Sequence, residues 1–551
     1  MGTRRRRRQE RARGPRVPSR TARPALVAAL GLLALAASSC GAPDRPGRSR
    51  EVRELLTHEP ASFSLVGKSD YHTERLAALV TEGLVQFDPD LTLVPRVAES
   101  WEVSDDHRAV TFHLRDGVRW HDGKPVTAAD VAFTVAQVRD PAVESRTWLP
   151  LFRDVAEVEV LDERTVRARY TVATPDFLEA WRVPLLPRHL AESGAELLTG
   201  GFQRKPVGCG PFRFLRHVPG EEIVLEANAD YWDGRPRLDR LVLRLLPDQR
   251  TALRALVAGD LDLMVASWDL WREALDADRE RRLASFVYYR TSVWIIRWNQ
   301  APESPLFRDP SVRRAMMLAL DRERYVERML GGLGRVAATT YHPDLPWTDR
   351  ELAPLPYDPA AAERLLDEAG WRRPRPGAPR EREGRPFRFT LLTAASTQQI
   401  VDHTAAWLQQ SWAEIGVETT IEKLDWSVFF ERLHAGRYEA AMSGLSTTPS
   451  PDQYELYHST MREAGVNSMA FADPEVDALL ERGRESFDPS ERRAIYHRLQ
   501  RRLLELQPVG CLMHFATVVL HDRRLRGVEA SPIDYWRTTR GPRLWSWSEE
   551  D

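Results

Sequence analysis

Cysteine is scarce in this chain: three residues in 551, at Cys40, Cys209 and Cys511. None of them stands in a CxxC pair or in the Cys/His spacing that holds zinc, so a disulfide-stapled scaffold and a structural zinc site are both excluded. Catalytic signatures are missing as well. There is no HExxH, no GxSxG and no paired CxxC. Gly67-Lys68-Ser69 has the ending of a phosphate-binding loop, but Ser62 stands where the first glycine is required. Gly331-Gly332-Leu333-Gly334 lacks the third glycine of a dinucleotide fingerprint and reads as a helix C-cap and loop. No enzymatic activity, no cofactor and no metal are expected. Internal repeats and long low-complexity tracts are also absent, which excludes solenoids and arrays.

The first forty residues carry ten arginines against one glutamate, leaving 68 basic and 79 acidic residues and a net charge of −11 for the rest. A mildly acidic body implies no polyanionic partner, so no nucleic acid is expected. Apolar residues make up 42% and aromatic residues 9%, enough for packed cores in two or three domains. The uncharged run from Pro24 to Ala37 is too short for a comfortable membrane span. Arginines, that apolar run, and then Ser38-Ser39-Cys40-Gly41 read together as an export signal over residues 1–40. Cys40 resembles the lipid-modified cysteine of bacterial lipoproteins. The run of five arginines also fits nucleic-acid binding or nuclear import, but its place directly ahead of an apolar segment favours export. In an exported compartment a disulfide between Cys209 and Cys511 is open, as is a pair of small buried thiols.

The most ordered stretch runs from Leu93 to Val138. Val110, Phe112 and Leu114 alternate with Thr111, His113 and Arg115, the period of a half-buried strand, and Asp116-Gly117 suits a tight hairpin turn. Thr127 stands three residues before Asp130, ahead of Val131, Val135 and Val138: a capping box opening a helix with one apolar face, ended by Asp140-Pro141. Asp309-Pro310, Asp358-Pro359, Asp473-Pro474 and Asp488-Pro489 each place an N-cap before a proline suited to the first helical position. Gly370 closes the second of these helices. The charged, Pro/Gly-rich stretch between Trp371 and Pro386 reads as a solvated surface loop. Beyond it RFTLLTAAS, a helix from about Val401 to Ile415, and VETTIEKL alternate as strand, helix, strand.

The wording of the Leu93–Val138 run resembles the bacterial extracellular solute-binding proteins of family 5, the receptors of oligopeptide, dipeptide and nickel ABC importers. Pro206 to Met264 and the helix after Asp309 resemble later blocks of the same family, with Cys209 where threonine is commoner. The resemblance implies an α/β fold, a two-lobed periplasmic-binding-protein-like clamshell (type II, cluster C) with an additional appended domain. Residues 41–49 would be a linker, residues 50–71, 205–294 and 510–551 lobe I, residues 72–204 the appended domain, and residues 295–509 lobe II. The implied function is capture of a peptide or other small organic solute outside the cytoplasmic membrane and delivery to an ABC permease and its ATPase. A monomer, anchored to the membrane by lipid at Cys40, is the expected form. Two rivals are a ligand sensor on the same fold and a secreted hydrolase.

The family comparison also suggests site residues. Trp426 occupies a position that faces ligand in oligopeptide-binding relatives, and Leu445, Ser446, Thr447 and Thr448 fall in a block that lines the cleft there. The aspartate that pairs with a peptide's α-ammonium group in those relatives is absent; Thr447 and Thr448 stand in its place. Burying an unpaired ammonium is costly, so a neutral or otherwise polar solute becomes the better expectation. Asp452 either substitutes for the missing carboxylate or caps the next helix. In the strand from Thr291 to Asn299, alternation sets Val293, Ile295 and Arg297 on one face and Trp294, Ile296 and Trp298 on the other, one for core and one for solute. Arg297 and Trp294 are the candidates from the two faces. Tyr71 is a further candidate, at the first crossing between domains.

Overall fold

The computed structural model describes residues 50–548, except 61, 64–65, 68–69, 146, 192–195, 197–201, 203–204, 278–281, 396–398 and 463–466. The export signal and Cys40 lie outside the described residues. Among the described residues no helix is long and apolar enough to cross a membrane.

Alternating and continuous apolar runs become strands of one 12-stranded mixed sheet. Its order is Glu418–Leu424, Arg388–Ala394, Ala440–Ser446, Ser292–Trp298, Val509–Asp522, Leu263–Ala266, Glu51–Leu56, Arg240–Leu245, Glu222–Ala227 and Phe212–Val218. Strands Leu283–Tyr289 and Gly334–Val336 also pair with Val509–Asp522. That 14-residue strand is the spine of the molecule. Its first part pairs with Ser292–Trp298 and its last part with Leu283–Tyr289, so Arg290-Thr291 on one strand pair and Phe515-Ala516 on the spine mark where the two halves of the sheet meet.

A separate four-stranded antiparallel sheet comes from Ala98–Val103, Ala109–Leu114, Thr165–Tyr170 and Val155–Val160. Val110, Phe112 and Leu114 point inward as their alternation requires, each at most 3% exposed. The turn between the first two strands is Ser104–Arg108, however. Asp116-Gly117, with Gly117 at φ +77°, leads instead into a loop closed by a lone Arg119–Pro125 bridge. The capping box forms: the Thr127 amide donates to Asp130 Oδ2 at 2.8 Å, and the helix Ala128–Arg139 buries Val131, Val135 and Val138. The four Asp-Pro sites open the helices Pro310–Leu318, Pro359–Glu368, Pro474–Glu485 and Pro489–Leu506.

Two features differ from the sequence expectation, and a third decides between alternatives it left open. The stretch after Trp371 is not simply solvated: Arg380 is 2% exposed, donating to the Trp371 carbonyl and to the Ile415 carbonyl just past the helix Gln399–Glu414. The strand Ser292–Trp298 is core on both faces, because it is a central strand covered on each side: Val293 and Ile295 enter one apolar cluster, Ile296 and Trp298 another. Cys209 and Cys511 are free buried thiols in different clusters, one beside the four-stranded sheet and one on the spine, so no bridge joins them.

Gly208 and Gly210 let the chain pass directly over the end of the helix Tyr71–Val80. A Cβ on Gly208 would lie 2.0 Å from the Val80 carbonyl oxygen, and one on Gly210 2.7 Å from the Val80 carbonyl carbon. The Gly-x-Gly-Pro turn is therefore a steric requirement of this crossing.

Candidate functional site

Three parallel strands, Arg388–Ala394, Glu418–Leu424 and Ala440–Ser446, end on the same edge of the sheet. Carboxyl ends of parallel strands are where α/β sheets bind ligands, since loops there can diverge around a crevice. A cavity of about 490 Å³ lies at this edge, against Ser446, Thr447 and Thr448. Its opposite walls come from the helix Tyr71–Val80, the segment Glu82–Phe87, Trp148, Arg182, and the C-terminal stretch Trp536–Arg543. Arg290 and Thr291 line it at the junction of the two sheet halves. The size suits a drug-sized solute.

Two polar networks build these walls. In the first, the Tyr71 hydroxyl donates to Asp534 Oδ2 at 3.1 Å and accepts from Trp536 Nε1 at 3.1 Å. The Tyr288 hydroxyl donates to Asp534 Oδ1 at 2.9 Å, and Arg290 lies 3.5 Å from the same carboxylate while stacking over the Tyr71 ring at 4.5 Å. Asp534 is fully buried with φ at 138°, a strained backbone for a residue bearing a Cβ and held only by this over-determined set of partners. Burial, with Asp534 adding to it, pushes the Tyr71 phenol up to about 12, so it stays a donor. Arg537 pairs with Glu74 beside this network.

In the second, Glu82 accepts from Arg96 Nη2 at 2.7 Å, the Tyr231 hydroxyl at 2.6 Å and Trp232 Nε1 at 2.8 Å. Asp233 accepts from Arg96 and Arg543, both at 3.0 Å. The cavity is thus lined by Arg96, Arg182, Arg290, Arg537 and Arg543 against Asp70, Glu74 and Glu82. Each of these carboxylates already has a partner: Glu74 and Glu82 hold arginines, and Asp70 caps the Thr73 amide at 2.7 Å. The balance favours neutral or anionic groups on a solute over an ammonium.

Of the residues singled out from the sequence, the cavity brings together Tyr71, Ser446, Thr447 and Thr448. The other five lie elsewhere. Leu445 and Trp294 turn toward apolar clusters, Trp294 lying edge-on to Phe515 with ring centroids 5.0 Å apart. Arg297 donates to Ser443 Oγ at 2.5 Å inside its half of the sheet, where burial lowers its pKa. Asp452 stands just before Gln453, the N-cap of the short helix Tyr454–Tyr457, accepts from the Tyr454 amide at 2.9 Å and pairs with Arg484 at 3.1 Å. Trp426 opens the helix Trp426–His434, 66% exposed, on the same strand-end edge but outside the cavity walls. Sequence reasoning missed Trp148, Arg182, Arg290, Trp536 and the two carboxylate networks. No local pattern marks them, because their segments meet only in the folded chain.

Among the described residues no group of three or more His, Cys, Asp or Glu is arranged to hold a metal ion. Comparison with known proteins gives a consistent answer. The family described as bacterial extracellular solute-binding proteins, family 5 Middle, matches residues 92–467. The chain is 33% identical to Protein XP55 of Streptomyces lividans over 81% of this chain and 80% of that one. It is 28% identical to the oligopeptide-binding protein AppA of Bacillus subtilis over 86% of this chain and 88% of that one. The structure of AppA in complex with a nonapeptide superposes with a TM-score of 0.77 at 26% identity, covering 92% of this chain and all of AppA.

Proposed function

Because the chain belongs to the bacterial extracellular solute-binding proteins of family 5, a two-lobed fold of ABC importer receptors, we propose that its cavity captures a small organic solute or a peptide of at most a few residues for delivery to a permease. The observation that carries this reading is the 490 Å³ cavity at the strand-end edge, walled by aromatic rings and by carboxylates that already have partners. Such a site orients a solute and has no spare carboxylate to hold an ammonium group. The relatives do not favour the sensor or hydrolase readings.

In this reading lobe I comprises residues 50–71, 205–294 and 510–551, the appended domain residues 72–204, and lobe II residues 295–509. Closure turns about Arg290-Thr291 and Phe515-Ala516, the two places where chain passes between the halves of the sheet, each within a few residues of these bounds. Ligand favours the closed form only through contacts that the open form lacks. The protein is exported, works as a monomer, and is held at the outer face of the cytoplasmic membrane by lipid at Cys40. Cys40→Ser then moves it from the membrane fraction to the soluble fraction of its host; retention in the membrane would remove the anchor.

Native mass spectrometry of protein purified from its own host tests the ligand class. The expected result is a co-purified molecule of a few hundred daltons; an empty cavity, or a bound peptide of nine or more residues, contradicts it. Trp148 and Trp426 separate cavity from rim. Trp148→Ala weakens the captured solute by about 1–3 kcal/mol through loss of ring contact, and Trp426→Ala leaves affinity within about 0.5 kcal/mol, read by calorimetric titration. The opposite ranking would place the ligand along the rim, as a longer peptide would lie.

A further inference from the structure

One arginine in the cavity wall is left with its hydrogen-bond donors unused. Of the five that line the cavity, four are committed: Arg96 donates to Glu82 at 2.7 Å, Arg543 lies 3.0 Å from Asp233, Arg537 pairs with Glu74, and Arg290 lies 3.5 Å from the buried Asp534. Arg182, the last residue of the short helical turn Phe177–Arg182, donates no hydrogen bond to the described residues. Its side chain is only 19% exposed, and its Nε is sealed from solvent without a partner. Glu179, on the same turn, stands 3.8 Å away, too far for a hydrogen bond. Asp176, just before the turn, is already taken, accepting from Arg492 Nη1 at 2.9 Å and from Ser450 Oγ at 2.8 Å. Polar groups buried in native proteins are almost always hydrogen-bonded, so a guanidinium with its donors left over calls for a partner from outside the chain.

The guanidinium is nonetheless held in place. Its Cζ lies over the Phe87 ring at 4.7 Å and over the Trp148 ring at 5.7 Å, and both rings belong to the cavity wall. The backbone beneath it is pinned: the Leu84 amide donates to the Trp181 carbonyl at 2.8 Å, and a Cβ on Gly83 would lie 2.6 Å from the Arg182 carbonyl carbon. The Trp181 ring is fully buried, its Nε1 donating to the Tyr170 hydroxyl at 2.7 Å. Rings occupy the faces of a guanidinium and leave its edge, which is the donor fork that pairs bidentately with carboxylate or phosphate. We propose that Arg182 sets the specificity of the cavity: the edge of its guanidinium receives an oxyanion group, carboxylate or phosphoryl, of the captured solute. This rests on the reading of the cavity as the solute site and narrows it from a polar solute to an anionic one. Glu179 offsets part of the arginine's charge through space, and the solute's oxygens supply the hydrogen bonds that Glu179 does not.

Saturation-transfer NMR on the full chain tests this with three probes that each carry one methyl group: acetate, methylphosphonate and the uncharged acetamide, at one ionic strength set with sodium chloride. Saturation should pass to acetate or methylphosphonate and not to acetamide, and the stronger of the two anions tells carboxylate from phosphoryl recognition. Arg182→Gln should weaken the Kd of that anion about tenfold or more, the loss of hydrogen bonds to a charged partner. Arg182→Lys, which keeps the charge without the fork, should weaken it about threefold, and it decides the matter if the Gln variant does not fold. No transfer to either anion, transfer to acetamide as strong as to acetate, or a folded variant that binds the anion as tightly as the wild type overturns the proposal. The molecule that co-purifies separates this from the capture reading. A solute without an oxyanion group overturns the role of Arg182 alone, whereas an empty cavity that still takes acetate through Arg182 upholds that role and contradicts capture alone.

Discussion

Replacing Arg75 with methionine is expected to lower the unfolding free energy by about 3–5 kcal/mol, the usual cost of stranding one member of a buried ion pair. Arg75 lies on the helix Tyr71–Val80, Glu54 on the first strand of the sheet, and their side chains are 2% and 1% exposed. Arg75 also donates to the Leu55 carbonyl at 3.4 Å, and the Tyr535 hydroxyl donates to Glu54. Without the guanidinium, Glu54 keeps its charge in an apolar layer with only a phenol for company, or else takes up a proton. The pair itself need not be net stabilising, because two desolvated ions have lost their water. The triple variant E54L/R75M/Y535F, which removes both charges and the orphaned hydroxyl, should therefore recover most of the loss. Urea denaturation followed by tryptophan fluorescence reads both effects. A loss under about 1 kcal/mol for R75M would show that the pair is not sealed from solvent. The consequence for binding is direct: this helix carries Tyr71 and Glu74 into the cavity wall.

Acidification between pH 6.5 and 4 should remove about 3 kcal/mol of stability for each of His342 and His514. The two rings meet edge to face with centroids 5.1 Å apart, and the residues are 0% and 2% exposed. The His342 Nδ1 accepts from the Asp344 amide at 3.2 Å, which requires the neutral ring, and His514 Nδ1 lies 2.9 Å from the Ser292 carbonyl. Burial pushes both to about 4, and for His342 the second ring adds to the effect. The sign follows from the unfolded value near 6.5: the unfolded chain binds protons that the folded chain refuses, so stability is complete above pH 6.5 and declines until the folded rings titrate near 4. His72, pushed to about 3, and His121, pushed to about 4, act in the same direction. The double variant His342→Gln/His514→Gln should flatten the pH profile of the urea midpoint over this window. If it retains the wild-type slope, the pair is not the source.

Local chemistry was well signalled in the sequence. Capping boxes and Asp-Pro pairs act within one turn of the chain, so the helices opened by Thr127, Asp309, Asp358, Asp473 and Asp488 could be read directly. The alternation of Val110, Phe112 and Leu114 gave the orientation of its strand, though not its partner. The turn at Asp116-Gly117 was assigned to the wrong pairing because a glycine at positive φ specifies a reversal and not the strand that receives it. Arg380 was read as solvated because a charge in a Pro/Gly-rich stretch is usually exposed; only the packing of a distant helix end supplies the carbonyls that hold it.

The site divides along the same line. Ser446, Thr447 and Thr448 follow a strand whose carboxyl end faces the cavity, and one short segment carries that information. Trp426 shares the edge yet stands clear of the cavity, since sequence position relative to a strand end does not specify which way the following helix turns. The amino-acid sequence by itself determined the capped helices, the facing of the Val110–Leu114 strand and the family. Only the tertiary structure decided that Asp534 gathers Tyr71, Tyr288 and Arg290, that Glu82 gathers Arg96, Tyr231 and Trp232, and that Asp176 reaches Ser450 and Arg492. Those contacts join residues tens to hundreds of positions apart, and hydrogen bonds of that range exist only after the sheet has brought their segments together.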